Sequence, residues 1–248
     1  MNDTDKLAAC EAKAVVIARA EWQQHIIDPP FTNVVARRKT WTVELDAINR
    51  YIGGVNPSKD PKRLQGLGWW WDAAYLGNHH GREWCGAFTA YALGGAGLKW
   101  KPHRYTFFSS TDRLLAFGLY RDWVAEGGIA VPNSPVPGRP RRVCAMLGMG
   151  ETAESLARRG IAPRRGNVLL VGDGLPPRKQ GTHITLVEDF DPHTGAFFTF
   201  EGNGGGEFPD GKRGEGVVRG VRFLRSTTHS HGACTLIQLV ADDFEMPI

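Results

Sequence analysis

Hydrophobic residues along this 248-residue chain change their spacing near residue 165. Before that point, apolar positions recur every three or four residues, which is typical of helices that bury one face. This spacing predicts helices over residues 7–27, about 40–52, 110–123 and 151–159, and one more that begins at Cys85. After it, β-branched and aromatic runs separated by turn residues predict strands. The predicted strands cover residues 167–171, 183–190, 196–203, 216–225 and 233–240.

Helices followed by an antiparallel sheet form the α+β pattern. The stretch "DPHTG" at 191–195 predicts a hairpin connection of the longer type. Segments 53–83 and 131–142 contain the residues of irregular loops. Since the sequence has no internal repeat and no linker, we predict one domain over 1–248, with a helical and loop insertion around 98–160.

Composition and charge argue against a nucleic-acid-binding protein. Apolar residues make up 42% and charged residues 23%, which is ordinary for a soluble globular chain. The net charge is +4, but the basic residues form short scattered groups without the aromatic residues that stack nucleic-acid bases. We therefore expect solvated surface charge and no nucleic-acid partner.

Neither a signal peptide nor a membrane span is apparent. The apolar run at 14–18 lies between Lys13 and Arg19 and is too short for a signal-peptide core. No run approaches the roughly 18 apolar residues of a membrane span. We therefore expect a protein that is made in the cytoplasm without a signal peptide.

The four cysteines are Cys10, Cys85, Cys144 and Cys234. They form no Cys-x-x-Cys pair and no Cys/His pattern at zinc-site spacing, so we expect no metal and no cofactor. A disulfide among Cys10, Cys144 and Cys234 stays open, because sequence alone does not give the pairing.

Cys85 stands in "EWCGAFTAYAL", where it opens the predicted helix. The N-terminal end of a helix carries partial positive charge and N–H groups without helical partners, which stabilise a thiolate. The same N–H groups suit the oxyanion that forms when a carbonyl is attacked. Taken alone, however, a cysteine that opens an apolar helix is more often a packing residue.

A thiolate nucleophile needs a base, and His183 is the best placed histidine. It begins the strand-like run "THITLVE". Glu201 and Asn203 are two residues apart and therefore lie on one face of the next predicted strand. If these two strands form a hairpin, either Glu201 or Asn203 lies beside His183 and accepts its ring N–H. Each signal is weak alone, and their combination in this order is much more specific.

Four short sequence motifs resemble those of the papain-like peptidoglycan amidases and peptidases of the CHAP and NlpC type. They are "WCGAF", "APRRGNV", "THITLVE" and "TFEGN". The resemblance implies a papain-like fold, with N-terminal helices packed on a C-terminal antiparallel sheet. It implies Cys85 as nucleophile, His183 as general base and Glu201 as the residue that orients His183, assisted by Asn203. One departure is Asn167, where the family usually has aspartate.

The resemblance also implies a substrate, the stem peptide of peptidoglycan. Trp84, Trp70 and Trp71 would then line the cleft. His80 and Arg82, from the loop before the nucleophile, would meet the carboxylates of the stem peptide.

The leading hypothesis is therefore a cysteine-dependent peptidoglycan hydrolase that acts in the periplasm or cell wall of another bacterium. Such a protein is an injected interbacterial toxin, with an immunity protein and a secretion machine as partners, or a phage lysin. One alternative is a papain-like deamidase or protease toxin that acts on a host protein. Another is a non-enzymatic binding module on the same fold.

Overall fold

The computed structural model describes residues 2–27, 47, 50, 51, 85–98, 143–147, 152–171, 183–223 and 234–245. The predicted helix at 110–123 and the predicted loops at 53–83 and 131–142 lie outside these residues. Within the predicted helix at 40–52, residues 47, 50 and 51 are described, and all three are helical.

The first helix, α1, spans Asp3–Gln23. It begins earlier than the predicted residue 7 because the Asn2 side chain accepts the N–H of Asp5 at 2.9 Å and so caps the first turn. It also ends before the predicted residue 27. Ile26 is buried although it lies outside the helix, because the chain here joins the sheet, with the Ile26 carbonyl accepting the N–H of Val217 at 2.8 Å.

Two further α-helices with described bounds follow α1. Helix α2 spans Cys85–Gly95 and begins at the residue that the sequence predicts. Helix α3 spans Ala153–Arg158, with a capping box between Thr152 and Ser155. Its chain then turns at Gly160, which has φ of 70°. Among the described helices, none is long and apolar enough to cross a membrane.

The sheet has six strands, in the order β1-β6-β2-β3-β4-β5, and every described pairing is antiparallel. The α+β class is therefore confirmed. The strands are β1 Val143–Leu147, β2 Val168–Val171, β3 His183–Asp191, β4 Ala196–Glu207, β5 Arg213–Phe223 and β6 Cys234–Gln238.

Two features of the sheet differ from the sequence prediction. Strand β1 lies inside the segment 98–160, for which only helices and loops were predicted, and it pairs with β6. Strand β4 continues four residues beyond the predicted end at 203, because Gly204, Gly205 and Gly206 pair with β5. Glycine disfavours strands on its own, so the extension depends on the partner strand.

The predicted hairpin between β3 and β4 is confirmed. The Asp191 carboxylate holds the turn by accepting the N–H of His193 at 2.9 Å and the hydroxyl of Thr194 at 2.6 Å. Gly195 completes the turn with φ of 71°, a conformation that glycine adopts without strain. The hairpin positions the end of β4 beside the start of β3.

Each face of the sheet carries a hydrophobic core. On one face, α1 and α2 pack over residues that include Val168, Leu186, Phe200 and Ile237. On the other face, Leu156 of α3 packs over residues that include Leu169, Val187, Phe197 and Leu236. Cys10 and Cys85 are buried thiols in the first core, so within the described residues Cys10 takes no part in the disulfide that the sequence left open.

A buried polar cluster ties α1 to the sheet. Glu11 accepts the Nε–H of Arg164 at 2.8 Å and the side-chain amide of Asn167 at 3.3 Å. Asn167 in turn accepts the N–H of Arg164 at 3.0 Å and the amide of Gln238 at 2.9 Å. Burial raises the pKa of Glu11, and the Arg164 guanidinium opposes that rise. Asn167 thus shapes the turn that leads into β2.

This turn requires glycine at position 166. Gly166 has φ of 80°, and a β-carbon there would lie 2.7 Å from the Glu11 α-carbon. Gly160 provides a matched comparison, because its φ is 70° but a β-carbon there would meet nothing within 4 Å.

We predict that Gly160→Ala costs about 1–2 kcal/mol of unfolding free energy, the cost of a left-handed backbone. Gly166→Ala should cost about 1–3 kcal/mol more, because the methyl group also pushes α1 away from the turn. Urea denaturation of the two variants and the wild type measures both losses. Equal losses would contradict the close packing of α1 on this turn.

Candidate active site

Cys85 is the first residue of α2. The residue is 1% exposed and belongs to the same buried cluster as Ile184 and Phe200. The helix therefore packs its first turn into the core layer that covers β3 and β4. The predicted substrate-binding residues lie outside the described residues: Trp84, Trp70, Trp71, His80 and Arg82.

His183 is the first residue of β3, where it pairs with Val171 of β2. Its Nε2 atom lies 2.8 Å from Oε2 of Glu201, and its side chain is 23% exposed. The hairpin therefore brings together the histidine and the carboxylate that the sequence predicts to be neighbours. The ring is held at one nitrogen and remains partly open to solvent.

Asn203, the alternative partner of the ring, has a different position. The register between β4 and β5 shifts between Glu201 and Gly204, and Asn203 has φ of 53°. A bulge of this kind takes a residue out of the strand alternation. Among the described residues, Asn203 forms no hydrogen bond with His183, and Glu201 is the residue that contacts the ring.

The Glu201 carboxylate is fully buried and accepts hydrogen bonds from three side chains. Oε1 accepts the Thr199 hydroxyl at 2.6 Å and the Nε–H of Arg222 at 2.9 Å. Oε2 accepts the Nη2–H of Arg222 and contacts the His183 ring. Four interactions fill the roughly four acceptor positions of an ionised carboxylate.

These contacts decide the ionisation state of Glu201. Burial acts to raise its pKa, but the hydrogen bond and charge of His183 and the Arg222 guanidinium lower it to about 2. The carboxylate is therefore an anion at neutral pH and can only accept hydrogen bonds. The proton between Nε2 and Oε2 consequently resides on the ring, which leaves Nδ1 as the proton-accepting nitrogen of a neutral imidazole.

Two glycines make room for the carboxylate. A β-carbon on Gly220 would lie 2.8 Å from Glu201 Cδ and 2.9 Å from Thr199 Oγ1. A β-carbon on Gly204 would lie 2.7 Å from Glu201 Oε2 and 3.2 Å from His183 Nε2. Distances this short exclude any larger residue unless the pair moves. The backbone on two sides is therefore fitted to the histidine–carboxylate contact.

Cys85 and His183 belong to different faces of the sheet. Ile184 and Leu186 lie in the core layer that contains Cys85. Because side chains alternate along a strand, His183 points to the opposite face, where its partner Val171 lies in the second core. If Cys85 and His183 act together, the contact between sulfur and ring is made around the end of the sheet at which β3 begins.

Sequence reasoning missed Thr199 and Arg222. The position of Thr199 could have been predicted, since a residue two before Glu201 in a strand lies on the same face as Glu201. Arg222 lies on a separate strand, and it reaches Glu201 because Thr199 pairs with Gly220 and Phe197 pairs with Arg222. That register cannot be deduced from local sequence patterns.

No family model matches the chain, and no curated protein or solved structure matches it significantly. Within the described residues, no group of three or more His, Cys, Asp and Glu side chains is arranged to hold a metal ion.

We predict that Glu201→Gln removes a stabilisation that depends on pH. Because the pKa of Glu201 is lowered in the folded state to about 2, its contribution is complete above the ordinary pKa near 4.5. That contribution disappears as pH falls from there towards 2. The shift corresponds to roughly 3 kcal/mol at neutral pH.

Chemical denaturation of the wild type and Glu201→Gln between pH 7 and pH 3 measures this difference, which should shrink as the pH falls. Glu215→Gln, at an exposed position of β5, is the control and should change stability by less than about 0.5 kcal/mol. A difference between wild type and Glu201→Gln that is constant with pH would mean that Glu201 is not a buried anion.

Proposed function

We propose that this chain is a cysteine-dependent hydrolase that cleaves an amide bond in the stem peptide of peptidoglycan, on a papain-like fold. The single observation that supports it most is the buried Glu201 carboxylate bound to Nε2 of His183. A buried anion on a partly exposed imidazole is the arrangement that orients a general base. The Glu201–His183 pair lies at the start of β3, and the helix that begins at Cys85 packs beside this strand.

The start of α2 supports the choice of nucleophile. Cys85 is the first residue of an 11-residue helix, so the backbone N–H groups of the first turn have no helical carbonyl to bind. Their partial positive charge stabilises a thiolate. The same groups are donors for the oxyanion of a tetrahedral intermediate.

The proposed reaction has two steps. In the first, the Cys85 thiolate attacks the amide carbonyl, and protonated His183 gives its Nδ1 proton to the departing amine, which leaves a thioester. In the second, neutral His183 takes one proton from water at Nδ1, the water oxygen displaces the sulfur as a thiolate, and the carboxylic acid that forms releases its proton to solvent. Glu201 remains ionised throughout and holds the ring by Nε2.

The proposed substrate class comes from the resemblance of the four short sequence motifs to those of cell-wall amidases. Under this proposal Trp84, Trp70 and Trp71 line the cleft, and His80 and Arg82 bind stem-peptide carboxylates. We further propose that the enzyme acts in the periplasm or wall of a target bacterium. It would arrive there as an injected toxin with a cognate immunity protein, or as a phage lysin.

Digestion of purified sacculi tests the proposal directly. We expect the wild type to release muropeptides whose masses identify the cleaved amide bond, and Cys85→Ala to release none. Cys10→Ala is the matched control, since Cys10 is the other described buried thiol. Mass spectrometry of the soluble products measures the amount and the masses of the released muropeptides.

Equal release by the wild type and Cys85→Ala would end the proposal. An inactive wild type on sacculi, together with Cys85-dependent growth arrest on cytoplasmic expression, would favour a toxin that acts on a host protein.

Thiol reactivity separates the enzyme from a non-enzymatic binding module. Cys85 and Cys10 have nearly equal exposures, 1% and 3%, and burial raises the pKa of Cys10. We predict that iodoacetamide at neutral pH modifies Cys85 at least about tenfold faster than Cys10, since the thiolate is the reactive form. Peptide mass spectrometry over time measures both rates. Equal slow rates would favour the binding module.

A further inference from the structure

Arg222 approaches Glu201 as a fork. Its Nε–H and Nη2–H donate to the two different oxygens of the carboxylate. Two parallel charge-assisted bonds of this kind fix the plane of a carboxylate as well as its charge. The Thr199 hydroxyl adds a third donor, at 2.6 Å from Oε1. The carboxylate is therefore held by two side chains, Arg222 and Thr199, in addition to its contact with the ring.

This arrangement also balances charge. A buried carboxylate without a cation would be costly and would tend to take up a proton. Arg222 supplies a permanent positive charge, because guanidinium does not lose its proton in proteins. Glu201 consequently keeps a cationic partner whether or not the His183 ring is protonated. The ring can gain and lose a proton at Nδ1 while its partner on Nε2 remains unchanged.

The backbone of β5 leaves space for the contact between Arg222 and Glu201. Strand β5 carries glycine at 220, between Val218 and Arg222 on the same face, and the carboxylate occupies the space that a side chain at 220 would fill. The arginine therefore reaches across Gly220 to the carboxylate. The same carboxylate therefore binds the arginine at both of its oxygens and the imidazole at Oε2.

We propose that Arg222 is a positioning residue, which locks the Glu201 carboxylate so that the His183 ring is held as the Nε2–H tautomer with Nδ1 directed away from the carboxylate. The inference rests on the proposed function for its kinetic consequence. Its structural consequence, the tautomer of one histidine, does not require that the chain hydrolyse anything.

The test uses Arg222→Gln and Arg222→Lys. The first removes the fork and the charge, and the second keeps the charge but loses the two-point contact. Arg219→Gln is the control: Arg219 lies three residues away on the same strand and forms a comparable pair with Glu188 at 2.6 Å. That pair is on the other face of the sheet, away from His183.

The first readout is nitrogen-15 NMR of the histidine rings at a pH where His183 is neutral, with the signal assigned through His183→Gln. We expect only the Nε2–H tautomer in the wild type and in Arg219→Gln. A mixture of both tautomers is expected in Arg222→Gln, with Arg222→Lys between them. Backbone amide spectra verify that each variant is folded. If Arg222→Gln does not fold, Arg222→Lys supplies the same comparison.

The second readout is hydrolysis of sacculi fragments. A positioned general base contributes roughly 100- to 10,000-fold to a reaction, and we expect Arg222→Gln to lose about 10- to 100-fold of kcat with little change in KM. A single Nε2–H tautomer in folded Arg222→Gln or Arg222→Lys would overturn the inference. An inactive wild type whose variants still show the tautomer change would overturn the proposed function and leave the inference standing.

Discussion

The charge on Glu201 is the constraint around which the described end of the sheet is built. A carboxylate that is entirely removed from water loses hydration worth several kcal/mol, and only well-oriented donors offset that loss. Three side chains provide them, from the start of β3, from β4 itself and from the end of β5. The β4–β5 register, the bulge after Glu201 and the glycines at 204 and 220 all accommodate this one group.

Carboxylates on α1 orient the helical layer by the same principle. Glu11 reaches Arg164 before β2, and Glu21 accepts the hydroxyl of Tyr51 at 2.7 Å and a guanidinium N–H of Arg50. Each of these two carboxylates joins segments that are distant in sequence. Apolar contacts between such segments are not directional, so they do not set an orientation on their own. Burial and the neighbouring Glu21 charge raise the pKa of Tyr51 well above its ordinary range, so Tyr51 remains a donor. Polar contacts thus orient the layer that carries Cys85.

The parts of the site that local sequence predicts are those that local periodicity encodes. A small, apolar run after Cys85 predicts a helix start there, and a β-branched run after His183 predicts a strand. The two-residue period also predicts that Glu201 and Asn203 share a face, but the bulge after Glu201 takes Asn203 out of that alternation. Arg222 could not be predicted, because its partner depends on a register between strands. Strand β1 is missed for a similar reason: five residues without a long pattern become a strand through pairing with β6.

Cys85 and His183 are held by different surroundings. Cys85 is packed within a core layer and is 1% exposed, whereas the His183 side chain lies at the start of β3 and is 23% exposed. Packing therefore contributes less to the orientation of the His183 ring. A hydrogen bond to a carboxylate that is itself held by Arg222 and Thr199 supplies the missing restraint at Nε2. The buried cluster behind His183 thus orients an imidazole that packing alone would restrain on only part of its surface.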